Sequence, residues 1–188
     1  DTIANKTWQD SYPYAAISVF ALHPLYIHLQ SIAAFKNKDD QKAFNTAFKE
    51  VNELEQVDFE KVLEYKFKFL HLLFDQEYER FSKDSDARAF ISLNADWLRP
   101  YAAFCHLRDK YKTCNFNNWP EYAVYSSKVE EELLSPTYHH IRDIEFYYFV
   151  QYYADKQLTQ AKDYARTKGV VLKGDLPIGI YRYSCDAW

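Results

Sequence analysis

The chain has 188 residues and a formal net charge of −4, with 48% hydrophobic, 27% charged and 19% aromatic residues. That composition supplies one domain with a sizeable core. Its acidic balance argues against nucleic acid as the main partner, because phosphate binding needs a basic face. No apolar run approaches the roughly 18 residues of a membrane span, so no membrane partner is read.

The predicted elements begin with a turn at Ser11-Tyr12-Pro13-Tyr14, where Pro13 fixes φ and pushes Tyr12 extended. Leu25-Tyr26-Ile27-His28-Leu29 alternates apolar and polar side chains and predicts a short strand. From about residue 31 the period changes to that of a helix. Asp39-Asp40 opens one helix carrying Ala43, Phe44, Ala47, Phe48 and Val51. Asp58 is an N-cap with Glu60 in the first turn of a long helix. Its stripe is Phe59, Val62, Leu63, Phe67, Leu70, Phe74, Tyr78 and Phe81. Asp84, Ser85 and Asp86 cap a short helix over 87–93. Asn94 starts another that runs to about Lys112, with Pro100 read into its first turn. An Asn-rich loop over 113–120 holds Trp119, and a short helix covers about 128–134. A last helix spans about 139–167 with apolar positions Ile141, Ile144, Tyr148, Phe149, Tyr152, Leu158, Ala161 and Ala165. Gly169 stops it.

All three glycines, Gly169, Gly174 and Gly179, fall in the tail. Glycine serves where backbone turns tightly or approaches something closely. The tail also reads as a short strand, Val170-Val171-Leu172, running into Gly174-Asp175. A carboxylate at the end of a buried parallel strand can face a substrate. A helix-stop glycine, an edge strand and an Asp turn explain the same residues, and both readings stay open.

Strand, helices, strand is the order of an α/β unit whose crossover has swollen to about 140 residues. The expected fold is therefore mostly α: a piece of a (β/α)8 barrel with a large helical insertion between two short barrel strands. Residues 1–30 form a barrel segment with a strand, 31–138 the helical insertion, and 139–188 the long helix, a strand and a substrate-facing loop. The chain contains no methionine, and its sequence stops where a crossover helix would follow; both features read as a fragment or a processed product.

Cys105, Cys114 and Cys185 form no CxxC pair and are odd in number, which suits free thiols in a reducing compartment. The histidines show no metal-ligand spacing, and His139-His140 reads as a helix-start feature, so no metal and no cofactor are expected. The 17 Tyr, 14 Phe and 4 Trp suit sugar or protein surfaces, or simply a ring-filled helical core.

Four blocks carry a family resemblance. They are Tyr14-Ala-Ala-Ile-Ser-Val-Phe-Ala-Leu-His-Pro-Leu-Tyr-Ile-His-Leu29; Asn94-Ala-Asp-Trp-Leu-Arg-Pro-Tyr-Ala-Ala-Phe104 with Asn118-Trp-Pro120; Glu145-Phe-Tyr-Tyr-Phe-Val-Gln-Tyr-Tyr-Ala-Asp-Lys-Gln-Leu158 with Tyr164-Ala-Arg166; and Gly174-Asp-Leu-Pro-Ile-Gly179 with Ser184-Cys-Asp-Ala-Trp188. In this order and spacing they resemble the 4-α-glucanotransferases, the amylomaltases or disproportionating enzymes of the α-amylase clan. The resemblance implies a (β/α)8 barrel that transfers α-1,4-glucan segments between glucans with retention, using two close carboxyl groups. In the family those carboxylates follow the Gly-Asp-Leu-Pro block, so no catalytic residue is expected here and the fragment alone should be inactive.

The resemblance also implies substrate-binding roles. Asp175 would accept hydrogen bonds from sugar hydroxyls, Tyr14 would hold glucan against its ring, and Ser18 would lie near the donor subsites. Leu22-His23 replaces the commoner Gly-Asn before Pro24, and Tyr181-Arg182-Tyr183 replaces an acidic version. The first departure resembles a larger subtype of cytosolic glucan or maltose metabolism, which implies a cytoplasmic location and an α-1,4-glucan or maltooligosaccharide partner. Exposed barrel strands would make the fragment self-associate. A non-enzymatic, aromatic-rich helical module that binds carbohydrate or a protein partner is the alternative.

Overall fold

A computed structural model describes residues 16–174 and 179–188. Six α-helices are described: α1 (Lys38–Asn52), α2 (Phe59–Phe81), α3 (Ser85–Leu93), α4 (Ala95–Tyr111), α5 (Ser127–Leu133) and α6 (Ile141–Thr167). Four 3-10 turns join them, at Pro24–Tyr26, Leu29–Ser31, Phe116–Asn118 and Cys185–Ala187. Among the described residues there is no strand. The mostly helical expectation holds, but neither predicted strand forms.

The helix starts follow from side-chain caps. Asn37 accepts from Asp39 and Asp40 N–H, Asp58 from Lys61 N–H, Asp84 from Asp86 and Ala87 N–H, and Ser126 from Val129 N–H. Each satisfies amides that a first turn leaves without a carbonyl. Asn94 serves two helices at once. Its Nδ2 donates to Phe90 O at the end of α3, and its Oδ1 accepts from Trp97 Nε1 at the start of α4. Pro100 sits in the second turn of α4, not the first, so the helix forgoes one backbone hydrogen bond there.

Gly169 ends α6 as expected. It takes φ +71°, its N–H bonds Arg166 O, and Val170 N–H reaches back to Ala165 O. This is the 5→2 and 6→1 pair of a Schellman motif, and the left-handed φ favours glycine.

The core is a sandwich of helices with α6 at its centre. Every residue from Phe146 to Ala154 is buried except Tyr148, which is half-buried. α6 packs most extensively on α4, and α2 and α3 cover other faces. Rings fill the contacts: Phe74 meets Phe146 and Phe149 edge-on, Phe81 meets Phe149, and Tyr101 meets Tyr147. α2 buries a second stripe against α1, where Phe69 meets Phe44 and Phe35. Phe59, predicted on the buried stripe, is exposed. Glu77, absent from it, is buried and held by Arg80 at 2.8 Å and Lys36 at 3.1 Å.

The segment 16–36 explains the missing first strand. Its apolar side chains (Ile17, Ala21, Ile27, Leu29 and Ile32) are buried, yet it follows α2 and α6 instead of a neighbouring strand. Three glutamines supply what a ladder would. Gln151 Oε1 accepts from Leu22 N–H at 2.8 Å while its Nε2 donates to Leu22 O at 2.8 Å. Gln157 does the same for His28, at 2.7 and 3.0 Å. Gln76 accepts from Lys36 N–H at 2.7 Å and donates to Ala34 O at 2.9 Å. A primary carboxamide offers one donor and one acceptor, as a peptide unit does. Between these clamps, Lys66 Nζ donates to the carbonyls of Leu25 and Ile27. With its backbone served by side chains at spaced points, the segment curls into 3-10 turns.

The second predicted strand fails differently. Residues 170–174 are irregular and exposed, with Val171 at 87%. The apolar stripe predicted along α6 also stops being buried after Ala154: Leu158 and Ala161 are exposed and Ala165 is half-buried.

Candidate functional site

Described parts of all four sequence blocks, far apart in the chain, meet around the middle of α4 and α6. The first and fourth are joined by Asp186. Its Oδ1 accepts from the Ser18 hydroxyl at 3.1 Å and its Oδ2 from Val19 N–H at 2.8 Å. Cys185 N–H adds a bond of 2.7 Å to Ile17 O. Ser18 Oγ in turn accepts from Phe20 N–H at 3.2 Å. A single carboxylate thus sets the backbone of residues 18–20, with Ser18 only 1% exposed. Phe20 lies at the surface, stacked on Trp97 of the second block with centroids 6.1 Å apart.

The third block enters through Gln151, which grips Leu22. The second supplies the bed for the fourth. Trp188 packs on Trp119, Phe104 and Tyr125 at 5.6, 5.8 and 5.1 Å, and its Nε1 donates to Tyr122 O at 2.8 Å. Trp119 donates to Thr113 O at 2.9 Å. Beside them, Arg99 Nε bonds Glu130 at 3.0 Å, and Glu130 also receives the Tyr125 hydroxyl. Burial and that carboxylate hold the Tyr125 phenol protonated well above its usual range.

His23 accounts for one departure in the first block. Its Nδ1 accepts from Leu25 N–H at 3.0 Å at the start of the first 3-10 turn. Burial, reinforced by the Lys66 cation, pushes its pKa down to about 4, so the ring is neutral at pH 7. The imidazole nitrogen does what an Asn carboxamide oxygen would do, so His and Asn are alternative caps before this proline. Lys66 is pushed down to about 8 by burial.

Of the residues expected to bind substrate, Ser18 is described, and its hydroxyl is engaged by Asp186. Tyr14 and Asp175 lie outside the described residues. His140 occupies the N-cap position of α6 and pairs with Asp143 at 3.0 Å. Among the described residues no group of His, Cys, Asp and Glu is arranged to hold a metal. Cys105, Cys114 and Cys185 form no disulfide, and no described helix is long and apolar enough to cross a membrane. Sequence reasoning missed Asp186, Gln151 and Gln157. The two glutamines left a trace, as uncharged polar residues inside an aromatic helical run. Asp186 left none.

Residues 3–188 match a family model described as 4-alpha-glucanotransferase, glycoside hydrolase family 77. The chain belongs to that family. A rice relative (Oryza sativa subsp. japonica) named 4-alpha-glucanotransferase DPE2 is 39% identical over 188 residues, covering 100% of this chain and 20% of its own length. The 4-alpha-glucanotransferase of Chlamydia trachomatis is 35% identical over 98% of this chain and 34% of its own length. That of Clostridium butyricum is 31% identical over 99% of this chain and 37% of its own length. The family 77 chain therefore spans between about a fifth and somewhat over a third of these relatives. Its match runs through all four blocks.

Proposed function

We propose that the chain is part of a 4-α-glucanotransferase, which moves α-1,4-glucan segments from one maltooligosaccharide or glucan to another with retention. The observation that carries this is the convergence of the four family blocks. Residues 18–22 of the first block, Trp119 of the second, Gln151 of the third and residues 185–188 of the fourth are held in one place by the Asp186 and Gln151 contacts and the Trp188 bed, which is how a substrate-facing loop is positioned by rigid elements. The parent fold is a (β/α)8 barrel, and helices α1 to α5 belong to its insertion. In the longer protein, residues 170–172 pair as a strand and Asp175 faces the donor sugar. Tyr14 stacks on glucan. Ser18 acts through the backbone it fixes, since its own hydroxyl is already bonded. The nucleophile and the acid/base carboxyl lie beyond residue 188, so the chain alone does not turn over. Three cysteines outside any disulfide support a reducing, cytoplasmic location.

The test is disproportionation of maltotriose. The full-length protein should yield glucose and a ladder of longer maltooligosaccharides, and the 188-residue chain should yield neither. Turnover by the chain alone would overturn the assignment of the catalytic carboxylates. An inactive full-length protein would overturn the transferase reading.

A further inference from the structure

The end of α1, the start of α2 and the loop between them form a corner of the fold that takes no part in the site above. Every residue from Asn52 to Glu60 is exposed. Phe48, Leu54, Val57 and Phe59 lie in or beside this short stretch, and each is between 44% and 61% exposed. Single apolar side chains at a surface are ordinary, but a cluster of them marks a place where something docks. The two helix ends are tied to each other beneath the cluster. Asp58 caps α2 through Lys61 N–H. Glu50, near the end of α1, accepts from Lys61 Nζ and from the Tyr65 hydroxyl of α2, the latter at 2.6 Å. Phe48 leans on Phe44, with centroids 5.8 Å apart, and Phe44 is buried against Phe69. The apolar groups are therefore presented on a fixed base, which lowers the ordering cost of binding.

Charge narrows the partner. Residues 48–61 carry Glu50, Glu53, Glu55, Asp58 and Glu60 against Lys49 and Lys61, a net −3 of the chain's −4. From the end of α4, Lys110 and Lys112 line a cleft with Asp58 and Glu60, but Glu64 and Asp109 line it too, so the sign stays negative. An apolar patch in an acidic surround repels nucleic acid and anionic lipid, both of which present phosphates. It repels the same patch of a second copy for the same reason. Among the described residues there is no strand, hence no sheet edge for an extended peptide to join. What fits is a helix with one apolar face bordered by lysine or arginine. Its apolar face covers the four side chains and its cations meet the carboxylates.

We propose that the α1–α2 corner is a docking surface for a cationic amphipathic helix of a partner protein, with Phe48, Leu54, Val57 and Phe59 as its apolar centre and the surrounding carboxylates as its rim. An apolar centre inside a polar rim is how protein interfaces are built. The proposal does not rest on the transferase reading, since it uses no residue of the four sequence blocks.

The experiment is a fluorescence titration of the chain, and of the full-length protein, into a labelled synthetic peptide of about five helical turns. The peptide has leucine at i, i+3, i+4 and i+7 and lysine elsewhere. The controls are the same leucine pattern with glutamate, and the leucine–lysine composition in scrambled order. The expected result is saturable binding of the patterned lysine peptide to both proteins, weakening as salt is raised. Binding should be at least about ten-fold weaker to V57S/F59S and to E53K/E55K, with far-UV circular dichroism unchanged. Equal binding of either control peptide, or unchanged binding by either variant, would overturn the proposal. Binding by the chain but not by the full-length protein would mean that the rest of the parent covers the corner, and would overturn it too. So would binding to phosphatidylcholine vesicles, or self-association of the chain, that V57S/F59S abolishes, because a lipid surface or a second copy would then be the occupant.

Discussion

Two stretches of the chain have the same kind of sequence and opposite fates. The predicted barrel strands, 25–29 and 170–172, lie in two apolar stretches, one over residues 16–36 and one in the tail after Gly169. The first is buried, with its backbone gripped at Leu22, His28 and Ala34–Lys36 by glutamines of α6 and α2. In the second, Val170, Val171, Leu172 and Ile180 are exposed. The difference does not lie in propensity. An apolar run is buried only where something meets its peptide groups, and here helix side chains do so for one stretch and not for the described residues of the other.

The largest expected effect comes from breaking a clamp. Gln151→Leu leaves the N–H and C=O of Leu22 unpaired beside a buried side chain, a loss of about 2 to 4 kcal/mol. Gln157→Leu, at an exposed clamp, should lose less than about 1 kcal/mol, because water replaces the amide. Urea denaturation of the two variants measures the contrast. Equal losses would mean that burial of the segment does not depend on the Gln151 clamp.

The next effect is a pH dependence. The His23 ring is neutral in the folded chain down to about pH 4, whereas an unfolded histidine takes its proton near 6.5. Its contribution is fully present above about pH 6.5 and is lost as the pH falls from there to about 4. The ceiling is on the order of 3 kcal/mol, at about 1.4 kcal/mol per pKa unit. Burial lowers His71 and His106 as well, so they add to the slope in the same direction. His23→Asn keeps a capping acceptor without a titrating group. Denaturation at pH 7 and at pH 4.5 should show the variant losing less on acidification than the wild type. An identical loss would show that His23 does not stay neutral.

How much of this was legible in the sequence depends on the range of the interactions. Helix starts were readable because caps are local: Asp58, Asp84 and Asn94 sit where their own chemistry requires. The Gly169 stop was readable for the same reason. The clamps were not, since Gln151 and Leu22 are 129 residues apart and a glutamine in a helix announces no partner. Asp186 was hidden likewise, because its partners Ser18 and Val19 are separated from it by almost the whole chain. Of the candidate site, the blocks could be read and their meeting point could not.

Smaller effects sharpen the exposed half of the comparison. Val171→Asp should change stability by less than about 0.5 kcal/mol, as expected for a surface position. If exposed tail residues drive self-association, the same variant should sediment more nearly as a monomer than the wild type at high concentration; unchanged sedimentation would place the contact elsewhere. Ser184 is buried with no hydrogen-bond partner for its hydroxyl among the described residues. Ser184→Ala should therefore be neutral or stabilising by under about 1 kcal/mol, and a clear loss in thermal denaturation would reveal a partner for that hydroxyl.

The most direct test of the account is maltotriose disproportionation by the full-length protein carrying Asp186→Ala. Removing this carboxylate frees Ser18 and Val19 together and so disorganises the backbone beside the proposed glucan contacts. The account predicts a folded protein whose kcat/KM falls at least ten-fold, about 1.4 kcal/mol of transition-state stabilisation. Wild-type kcat/KM in the Asp186→Ala protein would contradict it.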